Sequence, residues 1–254
     1  MVQQQGHDGR PGNQAILRQR RYLQRLDWYA SFALPSNPNL ILTTNPGPDV
    51  HFLFSTIKNG TDCCWVLTHR DSHDIDESWS FPGYLKDVKT VLQVWDPMCW
   101  KIVSKTPEEK LVDWKLVYRD PLPNWVSGYG SAPGHGRICL LGDAAHPFLP
   151  TSAQGATQAL EDGVTLAVLL RKAGKENIKG ALRAYQDIRY DRVKAVQKTG
   201  ETTRDMWHKT DWEKVKKDPT LIQFPREDWV FQHDAEKHAE EMGDEAIKKC
   251  GVGA

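Results

Sequence analysis

Arg137-Ile138-Cys139-Leu140-Leu141-Gly142-Asp143-Ala144-Ala145-His146-Pro147-Phe148-Leu149-Pro150-Thr151-Ser152-Ala153-Gln154-Gly155-Ala156 is the stretch that decides how this chain is read. Ile138 to Leu141 is a short apolar run, which predicts a buried strand. It ends at Gly142-Asp143, a small residue and then a carboxylate at the strand's carboxyl end, where open α/β sheets bind their ligands. Pro147 and Pro150 predict a stiff loop. A helix is expected to open near Gln154-Gly155, with Leu160, Val164, Ala167, Val168 and Leu170 on an apolar face and Gly174 as its stop. Gly155 carries no side chain, so a flat ligand can lie against the first helical amides, which favour negative charge. The unit thus offers a carboxylate for hydroxyl groups and a positive helix end for an anion.

Gly-Asp-Ala-Ala-His-Pro at 142–147, then Pro-x-x-x-Gln-Gly-Ala-x-Gln-Ala-Leu-Glu-Asp at 150–162, resembles the second flavin-binding motif of FAD-dependent aromatic hydroxylases of the salicylate hydroxylase type. Tyr118-Arg119-Asp120-Pro121-Leu122-Pro123-Asn124-Trp125 is similar to the segment that precedes this motif in that family. The resemblance implies that Gly142 and Asp143 meet the ribityl chain and that Pro147 lies near the isoalloxazine. It further implies that Gln154, Gly155 and Ala156 face the flavin's pyrimidine edge. Read from the residues alone, these are turn residues, a loop stiffener and a helix start. The implied cofactors are FAD and, as co-substrate, NAD(P)H; the implied reaction transfers one atom of O2 to an aromatic or polyketide-like small molecule. A phenol is activated by losing its proton, which calls for a base or a cation. His51 and Arg119 are the candidates by position; His146 packs or acts.

The resembled family opens with a strand, G-x-G-x-x-G and a helix, and this sequence carries no such element. Gly128-Tyr129-Gly130-Ser131-Ala132-Pro133-Gly134 has the wrong spacing and precedes a strand, so it reads as a loop. Gly6-His7-Asp8-Gly9 bears a faint likeness to the family's Asp-Gly fingerprint, but residues 1–14 read as a polar, unstructured start. The chain is therefore expected to cover the last two-thirds of such an enzyme. Two further readings stand beside the hydroxylase: a flavin-dependent oxidase or reductase, and a non-catalytic remnant that binds no flavin.

The remaining sequence fits an α/β fragment: part of a Rossmann-like FAD domain, an antiparallel substrate-domain sheet and C-terminal helices. The expected division is 1–36, a polar helical remnant; 37–126, the sheet region; 127–175, the flavin motif; and 176–254, C-terminal helices. A helix is expected over 15–33. His51–Ile57 and Cys63–Thr68 read as a hairpin around Lys58-Asn59-Gly60-Thr61, whose Asn-Gly tolerates positive φ. Helices are expected near 84–95, over Ile178–Trp207 and over Glu236–Lys249, and a strand over Leu111–Tyr118. Ala181, Ala184, Tyr185, Ile188 and Val193 would line one face of the long helix, with Arg183, Arg189, Arg192 and Lys194 solvated.

With 33 basic and 33 acidic residues the formal charge is zero, which argues against nucleic acid or an anionic membrane as partner. No apolar run approaches the ~20 residues of a membrane span, and the N-terminus has no signal-like core, so a cytoplasmic protein is expected. Cys63, Cys64, Cys99, Cys139 and Cys250 form no C-x-x-C pair and read as reduced thiols. The histidines and acids of residues 69–78 fit no metal-ligand spacing and read as a surface loop. Ten tryptophans suit aromatic packing or a pocket for a flat substrate.

Overall fold

The computed structural model describes residues 17–25, 42–47, 49–58, 62–70, 78, 80–128, 134–223 and 227–251. The expectations for residues 1–14, for the Asn59-Gly60 turn, for 71–77 and for 129–133 lie outside the described residues. Two compact units emerge: Met1–Val117 with Asp205–Ile222, and Tyr118–Arg204 with Gln223–Ala254.

The first unit is built on a five-stranded sheet. The strands are β1 (Leu17–Arg25), β2 (Leu42–Gly47), β3 (Val50–Ile57), β4 (Asp62–Arg70) and β5 (Val112–Leu116), in the order β2-β3-β4-β1-β5. Every pairing is antiparallel. The strands of the expected hairpin, β3 and β4, pair where His51–Ile57 and Cys63–Thr68 put them. β1 corrects the helix expected over 15–33: it lies between β4 and β5, pairing Leu17 with Arg70 and with Leu116. Two neighbouring ladders satisfy the β1 backbone, and that tertiary supply of partners overrides the local helical pattern.

Cys63 to His69 are buried without interruption, so both faces of the sheet are covered at β4. Phe52, Phe54, Trp65 and Leu67 share one face and meet α1 (Leu85–Leu92) and α2 (Pro97–Val103) through Val88, Leu92, Ile102 and Val103. Full burial of each such side chain is worth roughly 1.5–3 kcal/mol. Trp65 Nε1 donates to Thr106 Oγ1 at 3.0 Å, so its polar edge is satisfied. Asp96 caps α2 by accepting from the Met98 amide at 2.8 Å, with Pro97 at the first helical position.

The second unit is helical. It holds α3 (Gly155–Ala173), most of α4 (Ile178–Lys209), and, beyond the short α5 (Trp212–Lys217) of the first unit, α6 (Asp228–Phe231) and α7 (Ala235–Gly251). The expected face of α4 is present: Ala181, Ala184, Tyr185 and Val193 are fully buried. α7 packs on α3 through small residues, and Gly243 sits where a Cβ would come within 3.0 Å of Leu169. Lys172 to Asp244 at 2.8 Å and Arg171 to Glu240 close the outer edge of that contact.

Three expectations are corrected here. Ile138–Leu141 forms no strand; it makes one antiparallel bridge, Cys139 to Val126, and Ile138 and Leu141 are exposed. An apolar run becomes a strand only where neighbours supply a ladder, and among the described residues only the 125–127 segment does so. The expected apolar stripe of α3 is split: Leu160 is 72% exposed, Val164 41%, and Ala167 is exposed, while Val168 is buried and Leu170 half-buried. Its buried face carries Gln158, Glu161, Asp162 and Thr165 as well as Val168 and Leu169. Arg189 is not solvated but 1% exposed, because those acids face it. Among the described residues, no helix is long and apolar enough to cross a membrane.

Candidate functional site

The turn at Gly142 sets the geometry. Its φ is +57°, a left-handed conformation that glycine adopts at little cost, and a Cβ there would stand 3.2 Å from Ala159 Cβ. The Gly142 amide donates to Asp162 Oδ2 at 2.9 Å. Gly142–Ala144 then forms one 3-10 turn that leaves Asp143 exposed.

The loop that follows is pinned. Thr151 Oγ1 donates to Gly200 O at 2.8 Å, and Gln197 Nε2 donates to Pro147 O at 2.6 Å. Pro150–Ser152 makes a second 3-10 turn, and Ala153 follows at φ +53°. A left-handed alanine is strained and persists only where its surroundings over-determine it. It reverses the chain into α3. The first amides of α3 have no intrahelical partner, and no side chain caps them.

Asp143, Phe148, Gln154, Gly155, Ala156 and Ala159 line one open cavity of about 480 Å³. Asp143 Oδ1 lies 4.0 Å from the position a Gly155 Cβ would occupy, and Phe148 Cβ lies 3.3 Å from it. A side chain at 155 would therefore fill the space between carboxylate and helix start. Gln154 is 5% exposed, and among the described residues its Oε1 is buried without a hydrogen-bond partner. A concave wall with a carboxylate and a bare helix end fits a ligand with hydroxyls and a planar polar edge.

Of the residues singled out in the sequence, Asp143, Gln154, Gly155 and Ala156 are thus brought together. Gly142 stands behind the wall and shapes it. Pro147 is half-buried and lies off the cavity wall. Arg119 is exposed in the same unit, and its carbonyl accepts from Gln197 Nε2 at 2.9 Å. His51 belongs to the sheet unit, where its Nδ1 lies 2.8 Å from His208 Nε2 and its ring meets Trp207 edge-on. Burial, then the neighbouring His208, lowers the His51 pKa to about 3, so its ring is neutral at pH 7.

The sequence reading missed the network behind the turn. His146 Nε2 sits 2.6 Å from Asp162 Oδ2, and both side chains are fully buried. Arg189 Nε donates to Asp162 Oδ1 at 2.9 Å, and its Nη1 to Glu161 Oε2 at 2.6 Å. Arg192 Nε donates to the same Glu161 oxygen at 2.8 Å. Burial pushes the Asp162 pKa up, but the hydrogen bonds from His146 and Gly142 with the nearby Arg189 outweigh it and hold the carboxyl below the usual range. Glu161 is held low in the same way by Arg192 and Arg189. The signal was present: Gln158, Glu161, Asp162 and Thr165 recur at helical spacing opposite Leu160 and Val164.

Residues 84–199 match the FAD binding domain family. The chain is 34% identical over 218 residues to the FAD-dependent monooxygenase fmqB of Aspergillus fumigatus, covering 80% of this chain and 51% of that protein. Its fold superimposes on the crystal structure of CtdE in complex with FAD and substrate 4 with a TM-score of 0.79 at 28% identity, covering 92% of this chain and 57% of that one. A salicylate hydroxylase substrate complex shares the fold, with a TM-score of 0.68 at 24% identity over 88% of this chain and 56% of that one. The chain spans about half the length of the curated relatives it matches. On these grounds the matched part of the chain is similar to FAD-dependent monooxygenases and carries a match to the FAD binding domain family.

Proposed function

We propose that this chain carries the flavin-holding wall of an FAD-dependent monooxygenase that uses NAD(P)H and O2 on a hydroxylated aromatic or polyketide-like small molecule. One observation carries the reading: Asp143 and Gly155 line one cavity, with Asp143 Oδ1 4.0 Å from the side-chain position that Gly155 leaves empty. The residues present fit the cofactor. Asp143 accepts hydrogen bonds from ribityl hydroxyls. The Gly155 and Ala156 amides donate to the polar edge of the ring, where the helix dipole favours developing negative charge. Gln154 lines the same wall, and Phe148 shields it from water. FAD, when bound, supplies hydride acceptance and oxygen activation.

Of the two residues considered for activating the substrate, Arg119 supplies a permanent positive charge, which stabilises a phenolate. His51 is buried and neutral with His208 on its Nδ1, which makes it a weak base at physiological pH.

The test is FAD titration of the purified chain, followed by flavin absorbance. Asp143→Ala is expected to weaken binding about tenfold or more, since a hydrogen bond to a charged group contributes about 1.5–3 kcal/mol. A colourless chain with no measurable FAD affinity overturns the reading, and an unchanged affinity in Asp143→Ala removes the role given to that carboxylate. One labelled oxygen atom in the product separates the monooxygenase from an oxidase or reductase.

A further inference from the structure

Asp143 aims at the cavity, yet among the described residues its side chain makes no hydrogen bond that would aim it. Its direction is set by the backbone at Gly142. That backbone is held by a residue 20 positions away: the Gly142 amide donates to Asp162 Oδ2. Asp162 is itself fixed on three sides. Oδ2 also takes the hydrogen bond from His146, and Oδ1 takes that from Arg189 Nε. Arg189 is fixed in turn by Glu161 Oε2 at 2.6 Å and by Gln158 Oε1 at 2.8 Å. Every member of the set is buried. A buried carboxylate with three donors is a rigid acceptor, because moving it strands charges in a low-dielectric interior.

We propose that Asp162 is a positioning residue for Asp143: by holding the Gly142 amide it fixes the left-handed turn that projects the Asp143 carboxylate into the cavity, with His146 and Arg189 fixing Asp162. The inference rests on the flavin reading, since Asp143 needs an aim only if a ligand uses it. A network that merely holds α3 to α4 would lower stability when cut and leave the affinity of the folded protein alone.

The test is Asp162→Asn, which keeps the shape and removes the charge. Gly142 amide exchange is read by NMR and FAD affinity by titration, each in the native background and in Asp143→Ala. Exchange at Gly142 is expected to quicken at least tenfold. FAD affinity is expected to fall at least fivefold in the native background and to show no further fall in Asp143→Ala. An unchanged affinity overturns the proposal, and so does an equal loss in both backgrounds. Should Asp162→Asn fail to fold, His146→Asn removes one of the three donors and takes the same readouts. If the native chain binds no FAD, the flavin reading has failed by itself. Gly142 exchange then decides the turn alone: quicker in Asp162→Asn, it stands; unchanged, it falls.

Discussion

In the sheet unit the largest fully buried side chains include Trp65, Phe52, Phe54 and Leu67, and His51, on the opposite sheet face, is kept neutral. In the helical unit Arg189, His146, Gln158 and Asp162 are buried just as deeply, and the acids are kept ionised. Both interiors exclude water, but they satisfy polar atoms differently. His51 is buried against Trp207 and His208, so burial and then the neighbouring His208 keep its ring unprotonated. Between α3 and α4 two acids meet two arginines at hydrogen-bonding distance, so the charges compensate one another. A buried charge network is only weak evidence of net stability, but removing one partner is costly. The lesson is that the candidate cofactor wall rests on the polar interior, where geometry is fixed by directional bonds instead of by packing alone.

The contrast is sharpened most by Arg189→Ala, which leaves Asp162 and Glu161 buried without their shared cation. A loss of about 3–5 kcal/mol is expected, read as weakened amide protection across α3 and α4 in denaturant. A loss below about 1 kcal/mol would show that water reaches the network. Leu67→Ala tests the apolar interior. It should cost about 2–5 kcal/mol through the cavity it leaves, with protection lost in β3 and β4 and retained in α3.

The two interiors should also separate by pH. His51 has its folded pKa lowered from 6.5 to about 3, so the unfolded chain takes up the proton first. Its contribution is complete above pH 6.5 and is lost as pH falls towards 3, at up to about 1.4 kcal/mol per pH unit. Asp162 and Glu161 are lowered as well, but from the carboxylate range. Their contribution is complete above about pH 4 and is lost only as pH falls through their depressed folded values. Amide protection, corrected for the intrinsic exchange rate, should therefore fall in β3 between pH 7 and 4.5 while α3 stays protected; equal losses in both would erase the distinction. The smallest effect is expected at Leu160→Gln. Periodicity alone makes Leu160 a core residue, yet it is 72% exposed, so its replacement should stay within about 0.5 kcal/mol. A loss of core magnitude would mean that this face is covered.

Much was legible before the fold. The β3–β4 hairpin followed from two strand-like runs around an Asn-Gly turn, and α4 from helical spacing. The pairing of Asp143 with Gly155 followed from a motif only 13 residues long, because a turn, a stiff loop and a helix start leave a short chain few ways to run. What failed, at β1 and at Ile138–Leu141, were readings that depended on a distant neighbour. β1 looked helical because its ladder partners are residues 62–70 and 112–116. Ile138–Leu141 looked like a strand because the sequence cannot show how few partners it would find.

The sequence by itself determined the local units: the glycine that can turn left-handed at 142, the carboxylate beside it, and the uncapped helix start at 155. Tertiary structure alone decided which side of α3 faces inward and that Arg189 is buried. Helical periodicity gives two faces but not which one meets a neighbour. That choice depends on whether the opposing helix brings hydrocarbon or charge, and α4 brings Arg189 and Arg192 to Glu161 and Asp162.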